Sequence, residues 1–528
     1  MTDETRQEDS LRDGMVTSPH PLATQAGLAV LRSGGNAIEA AIATAAALCV
    51  TMPHFCGLGG DAVWLVADRE GRRSCFLGIG QAAQNLPVFS GSVPLRGPQS
   101  TLTSACVVDS WGHALAYAKE HWDGRIAFSN LLQPAIGHAS KGFAASASQA
   151  FWLDFRAKEC ADWPGFSENF GSVSADKPFR QPQLAYSLSM LASDGPRSFY
   201  QGRLAQRIAD GLQTVGSPLT AEDLAATRTR EVDPISIHYR DLTLLAPPAP
   251  TQGASTLSIM GILNHFNLAA LQAGDAARYH LLVEAVKQAF LDRGQIADPD
   301  WASQDLDNLL DPERLAGKAA AIDPGHALAW PVTYQHGDTV FFAVTDKEGR
   351  SASVLQSTYF DWGSGVMVGD TGILWQNRGA AFSTDANHPN GLAPGKRPFY
   401  TLNPGMALKD GHPHLLYGTQ GADGQPQTLA VLLTGLIDLD LSPQEALAQP
   451  RFLLGRTFSD SRDSLKLEGS LGGEAMARLQ TLGHEVAELP ALSPLFGQAG
   501  VIRIDTDGTI TGAHDPRGEG LAGIVGNV

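Results

Sequence analysis

The alternation of apolar and polar positions predicts helices early in the chain and strands late. Leu22, Ala26 and Val30 recur at helical spacing between Pro21 and a Gly34-Gly35 stop, which predicts a helix over 21–31. Asn36 can cap the next helix, with Glu39 at its third position as in a capping box. Ala37 to Val50 is the most apolar early stretch of the chain and contains Glu39. It is shorter than the ~20 residues a membrane span needs, so it is expected in the core. Leu281, Leu282, Ala285, Val286, Ala289 and Phe290 mark another amphipathic helix. Ser442-Pro443-Gln444-Glu445 joins a Ser cap, a first-turn Pro and a third-position Glu. Val340 to Val344 is a continuous apolar run, Asp346-Lys347-Glu348-Gly349 a turn, and Ser351 to Phe360 a second strand. Helices are expected to dominate the first half, and short strands with Gly-rich turns the second. The Pro-rich stretch from Ala246 to Gly253 suits a linker and an ordered loop equally.

Composition narrows the class. With 43% hydrophobic and 18% charged residues, the chain is globular. Its 528 residues suggest three or four domains at roughly 150 residues each. Lys plus Arg number 38 against 55 Asp plus Glu, a net charge of −17. Nucleic acid and anionic membranes need basic surfaces, so neither is an expected partner. Residues 1–13 are charged, lack the apolar core of a signal peptide, and read as a disordered tail. Five scattered cysteines without CxxC spacing fit a reducing, cytoplasmic compartment.

Most chemical motifs fail their context. Gly518-Glu519-Gly520-Leu521-Ala522-Gly523 matches a dinucleotide fingerprint, but no helix and acidic residue follow it, so a Gly-rich strand or turn is expected. His412-Pro413-His414 reads as a turn between strands, and no metal or cofactor is expected. Gly57-Leu58-Gly59-Gly60-Asp61 could nest an anion or turn the chain tightly, and the turn is favoured. Thr339 opens the apolar strand after His336-Gly337-Asp338. An internal threonine hydroxyl is a poor nucleophile, and most threonines at such places are simply strand formers. At a new chain N-terminus the α-amine beside the hydroxyl can act as its general base. That arrangement requires cleavage between Asp338 and Thr339.

Several segments carry a resemblance. Gly14-Met-Val-Thr-Ser-Pro-His20, Gly34-Gly-Asn-Ala-Ile-Glu-Ala40, Gly57 to Gly60, Glu284 to Arg293, Gly395-Lys-Arg-Pro398, Pro450-Arg-Phe452 and Asp515-Pro-Arg517 occur in an order that resembles the gamma-glutamyltransferase family. The resemblance implies an N-terminal-nucleophile hydrolase of α/β (α+β) class, a four-layer αββα sandwich that cleaves itself before a threonine. It places that threonine at Thr339. It implies a large subunit 14–338 and a small subunit 339–528, interlocked as one domain and forming a heterodimer, with a dimer of heterodimers as a further option. It also implies a second catalytic hydroxyl at Ser357, and an oxyanion hole from the N–H groups of Gly421 and Ala422.

The family's glutamyl pocket is altered. Its early-strand Arg is missing from Phe76-Leu-Gly-Ile-Gly-Gln-Ala82, its Asn is Tyr359, its Asp is Ala381, and its Ser-Ser pair is Tyr400-Thr401. Arg378 stands where the family carries a neutral amide. It can clamp a substrate carboxylate or brace the Gly379 loop. The pattern resembles a cytoplasmic branch of the family that includes enzymes acting on oxamate. The expected substrate is therefore a small anionic amide, hydrolysed without cofactor. The alternatives are a γ-glutamyl hydrolase or transferase, a cephalosporin-type acylase, and a non-catalytic binding protein that kept the fold.

Overall fold

The structure is a computed structural model that describes residues 13–171, 173, 177–301, 306–330, 337–455 and 464–526. Twelve of the thirteen residues assigned to the tail lie outside the described residues. Asp13 itself is engaged, since its carbonyl accepts from Val525 N at 3.4 Å.

The strands, in chain order, are Met15–Ser18 (β1), Asp61–Ala67 (β2), Arg73–Gly78 (β3), Arg230–Val232 (β4), Ile235–Tyr239 (β5), Leu242–Ala246 (β6), Asp338–Thr345 (β7) and Ser351–Tyr359 (β8). Then follow Gly405–Lys409 (β9), His412–Thr419 (β10), Phe452–Gly455 (β11), Ser464–Glu468 (β12), Val486–Leu489 (β13), Ala499–Ile504 (β14), Ile510–His514 (β15) and Leu521–Ile524 (β16). One sheet has the order β16-β1-β7-β8-β2-β3-β4 and a second the order β15-β14-β10-β9-β6-β5. A small third sheet holds β11, β12 and β13.

The two large sheets face each other across an apolar layer that includes Val63, Leu65, Phe341, Leu355, Met406, Leu416 and Ile502. Helices Ala37–Thr51 and Val107–His121 cover the outer face of the first sheet, and Gly253–Leu263 and Gln425–Asp438 that of the second. Both β7 and β8 are buried along their whole length. β7 therefore carries apolar side chains from Val340 to Val344 toward both neighbouring layers, whereas β8 also buries Ser351, Ser353, Gln356 and Ser357.

Several expectations hold in detail. Helix Pro21–Arg32 is present, and Asn36 and Ser442 each close a full capping box with Glu39 and Glu445. Helix Ala37–Thr51 is buried at every position. All five cysteines are buried and unpaired. Among the described residues no helix is long and apolar enough to cross a membrane.

Other expectations are corrected. Helices dominate the first half as expected, but it also contributes six short strands, and β1 pairs directly with β7. A four-residue strand is too short to show a period, so only its two partners define it. His412 and His414 lie within β10, after the Asp410-Gly411 turn, and His414 Nδ1 sits 2.7 Å from the Ile504 carbonyl. Ala246 to Gly253 is an ordered loop: Gln252 N donates to Tyr400 O at 2.9 Å and Tyr400 N to Pro250 O at 2.8 Å. It links the helical layer to the site. One continuous pair of sheets replaces the three or four domains suggested by length.

Candidate active site

Thr339 is the second residue of β7 and is 1% exposed. β7 and β8 pair regularly from Val340 opposite Gln356 to Thr345 opposite Ser351, but Asp338 stands opposite Tyr359. One extra residue of β8 is taken up between these pairs, a bulge that sets Ser357 and Thr358 against the single Thr339. Ser357 Oγ donates to the Asp338 carbonyl at 2.6 Å and accepts from Tyr359 N at 2.7 Å. A hydroxyl thus polarises the carbonyl of the peptide bond that precedes Thr339.

The Asp338 side chain is buried, and its Oδ2 has no hydrogen-bond partner among the described residues. Burial, reinforced by the nearby Asp361 carboxylate, holds this carboxyl well above the usual range against the pull of Arg156 and Arg96. Asp361 is gripped by Arg156 at 2.7 and 2.9 Å and by Arg96 at 3.1 Å.

Gly337 fixes the approach from the other side. A Cβ on it would lie 3.0 Å from both Ala422 Cβ and the Tyr359 carbonyl oxygen. The peptide before Thr339 therefore runs between the end of β8 and the Gly421-Ala422 turn. Gly421 has φ +117 and Ala422 φ +43. The first value lies where glycine is favoured, so Gly421 lets the chain turn from β10 toward helix Gln425–Asp438.

Arg378 is 1% exposed, and its guanidinium carbon lies 3.8 Å from the Tyr359 ring centre and 4.6 Å from that of Tyr400. Its Nη1 donates to Thr401 Oγ1 at 3.3 Å, while Nε has no partner among the described residues. Burial lowers the Arg378 pKa, opposed by the charges of Tyr359, Tyr400, Asp61 and Asp423. Burial pushes the Tyr359 phenol up to about 12. Tyr400 Oη donates to Asp61 Oδ2 at 2.8 Å, and Asp61 Oδ1 accepts from Gly80 N at 3.0 Å and Cys106 N at 2.9 Å. Burial still raises the Asp61 carboxyl to about 6, against those hydrogen bonds and the Arg378 charge.

A second guanidinium lies nearby. Arg293 pairs with Asp423 and reaches Gln252 Oε1 at 3.2 Å. Gln252 Nε2 in turn donates to the carbonyls of Thr401 at 2.6 Å and Ala422 at 2.7 Å. Arg293, Tyr359, Ala381, Phe399 and Asp423 line a cleft of about 230 Å³, and Arg378 packs against the Tyr359 ring outside that lining.

The fold thus brings together Thr339, Ser357, Tyr359, Arg378, Tyr400, Thr401, Gly421 and Ala422. Sequence reasoning missed Asp61, Gln252, Arg293 and Asp423. Arg293 ends a segment that carries the resemblance, and Gln252 closes the Pro-rich stretch. Position along the chain could not reveal that both meet Asp423 and Ala422. Elsewhere, His280, Glu284 and His484 form a group able to hold a metal. His280 Nδ1 already lies 2.9 Å from His484 Nε2, and Glu284 Oε1 accepts from Lys287 at 2.8 Å.

Comparisons with known proteins agree with this geometry. The chain is 44% identical over 520 residues to the oxamate amidohydrolase proenzyme of Klebsiella pneumoniae, covering 96% of this chain and 98% of that one. It is 40% identical over 521 residues to a glutathione hydrolase-like proenzyme of Bacillus subtilis, with the same coverage. The structure superposes on a cephalosporin acylase from Bacillus halodurans with a TM-score of 0.89 at 31% identity, covering 97% of this chain and 96% of that one. The gamma-glutamyltranspeptidase family pattern matches residues 23–525. The chain belongs to the gamma-glutamyltranspeptidase family and is an autoprocessing amidohydrolase of the N-terminal-nucleophile type.

Proposed function

We propose that the chain cleaves itself between Asp338 and Thr339 and then hydrolyses a small carboxylate-bearing amide, with oxamate as the substrate. In the first step Thr339 Oγ attacks the Asp338 carbonyl, whose oxygen already accepts from Ser357. The peptide becomes an ester on Thr339, and water releases it. The freed α-amine then takes the proton of its own hydroxyl. Thr339 Oγ attacks the amide carbon, and the Gly421 and Ala422 N–H groups hold the oxyanion. Ammonia leaves with a proton from the α-ammonium, and water hydrolyses the acyl ester to give the dicarboxylate. Subunits 14–338 and 339–528 form the working heterodimer, which acts in the cytoplasm without metal or cofactor.

One observation carries the choice of substrate. Arg378 is a buried cation between two tyrosines; among the described residues its Nε has no partner and its side chain makes one long hydrogen bond, to Thr401. Its contacts are the two ring faces and Thr401, with the Asp61 and Asp423 charges acting on it from outside hydrogen-bond range, so a substrate carboxylate would give it a direct ion pair. The 44% identical relative acts on oxamate by its name, which supports the same reading. Against a γ-glutamyl substrate stand Tyr359, Ala381 and Tyr400, which remove the partners of an amino-acid head group.

The test compares ammonia release from oxamate with amine release from a γ-glutamyl anilide. Oxamate is expected to be the better substrate, and Thr339→Ala to remain a single uncut band without activity. Arg378→Leu is expected to raise KM for oxamate about tenfold or more, since one charged hydrogen-bond partner is worth ~1.5–3 kcal/mol. An unchanged KM removes the clamp, and faster turnover of the anilide removes the oxamate reading.

A further inference from the structure

A small hollow of about 20 Å³ touches the cleavage site and is lined by Gly337, Asp338, Gly421 and Gly424, with Trp152, Pro494 and Leu495. Those last three residues also line a separate cavity of about 350 Å³, together with Phe55, Phe151 and Pro516. The two spaces therefore share a wall. Trp152 meets Phe151 edge to face at 5.5 Å and Phe55 at 5.9 Å, and Phe151 is 47% exposed at the outer end. The two charged residues of the larger cavity are already engaged. Arg517 is held by Glu468 and Asp515, and Glu519 accepts from Ala147 N at 2.8 Å. The cavity offers a ligand ring faces and edges, together with Ser148 and the Gln420 and Gln498 amide oxygens, which have no hydrogen-bond partner among the described residues.

Ammonia needs no such cavity. Gly337 and Asp338 line the hollow that shares its wall with the aromatic cavity. Tyr359 meets the same peptide at Gly337 and holds Arg378 against its ring. We propose that this cavity is a subsite for an uncharged aromatic substituent on the departing nitrogen. The enzyme then takes N-aryl oxamates as well as oxamate. The inference rests on the reading of Arg378 as the carboxylate clamp.

The chemistry balances with one water. Thr339 Oγ bonds to the amide carbon, the carbon–nitrogen bond breaks, and the arylamine leaves with the proton held by the Thr339 α-ammonium. Water then cleaves the oxalyl ester to oxalate and restores the hydroxyl. Burying one ring against these aromatic walls removes apolar surface from water and adds edge-to-face contacts.

The experiment measures kcat/KM of the processed enzyme for oxamate (ammonia release) and oxanilate (aniline release). Both are expected to be hydrolysed. Phe151→Ser, at the exposed end of the cavity, and Leu495→Ser, in the wall shared with the hollow, are each expected to lower the oxanilate-to-oxamate ratio about tenfold. Turnover of oxamate without oxanilate overturns the subsite and leaves the oxamate reading intact. Oxanilate turnover with a ratio that neither variant changes also overturns it. Loss of both substrates in a fully cleaved protein overturns the subsite and the oxamate reading together.

Discussion

At the scale of single residues, two buried carboxyls give the site a pH dependence. Asp61 is linked to Arg378 through Tyr400, and its carboxyl is raised to about 6. Above that pH its negative charge opposes a second anion near Arg378, and below it the charge is gone. KM for oxamate is therefore expected to fall as pH drops through about 6. In Asp61→Asn that slope should flatten while Tyr400 keeps an oxygen acceptor. A KM profile in Asp61→Asn that still bends near 6 assigns the titration elsewhere.

Asp338 is the second such carboxyl. Its pKa is raised in the folded chain, so the folded precursor holds this proton more tightly than the unfolded chain. Its contribution to stability is full below the ordinary carboxylate range and is lost as pH rises through the raised value. At neutral pH it destabilises the uncut chain, and cleavage frees the residue to leave and ionise. In a Thr339→Ala background, Asp338→Asn is expected to raise the melting temperature by about 2 °C or more at pH 8 and by little at pH 4. Melting curves at the two pH values check this.

At the scale of elements, the register of β7 against β8 decides the chemistry. The bulge opposite Thr339 places Ser357 Oγ 2.6 Å from the Asp338 carbonyl. In a regular ladder, successive side chains face opposite sides of the sheet. The same bulge leaves Tyr359 at φ +85, a strained value for a large side chain, with its ring against Arg378. Ser357→Ala is expected to slow self-cleavage by about a hundred- to a thousandfold, the range of one lost hydrogen bond to a developing oxyanion. The fraction of uncut precursor over time on a denaturing gel measures it. A precursor that matures at the normal rate leaves Ser357 a structural role only.

At the scale of the whole molecule, the proposed cut between Asp338 and Thr339 leaves the halves interlocked. β7, which would then open the small subunit, is bonded on one side to β8 and on the other to β1, which pairs in turn with β16. In the second sheet β6, from the large subunit, pairs with β9. Both large sheets thus mix strands from both subunits over a shared apolar layer. The two cleaved chains are expected to co-elute as one species in gel filtration and to part only on denaturation. Separation under native conditions would show that the layer between the sheets does not hold them.

Local sequence determined the local features. Asn36 and Ser442 state their helix starts because a capping box is made within four residues. The unbroken apolar run after Thr339 likewise states a strand buried on both faces. The order of motifs marks the family, and the resemblance, rather than Thr339 by itself, proposes where cleavage is to be sought. Tertiary structure decided what those signals could not. Asp61, Gln252 and the stretch from Arg378 to Tyr400 come from three distant parts of the chain, and their meeting depends on two sheets packing face to face. The charges of Asp338 and Asp61 depend on burial, which a linear sequence does not express. The aromatic cavity beside the cleavage site arises where Trp152 of the large subunit meets Leu495 of the small one. Contacts between residues hundreds of positions apart are fixed by how the layers pack, so neither periodicity nor spacing along the chain could reveal them.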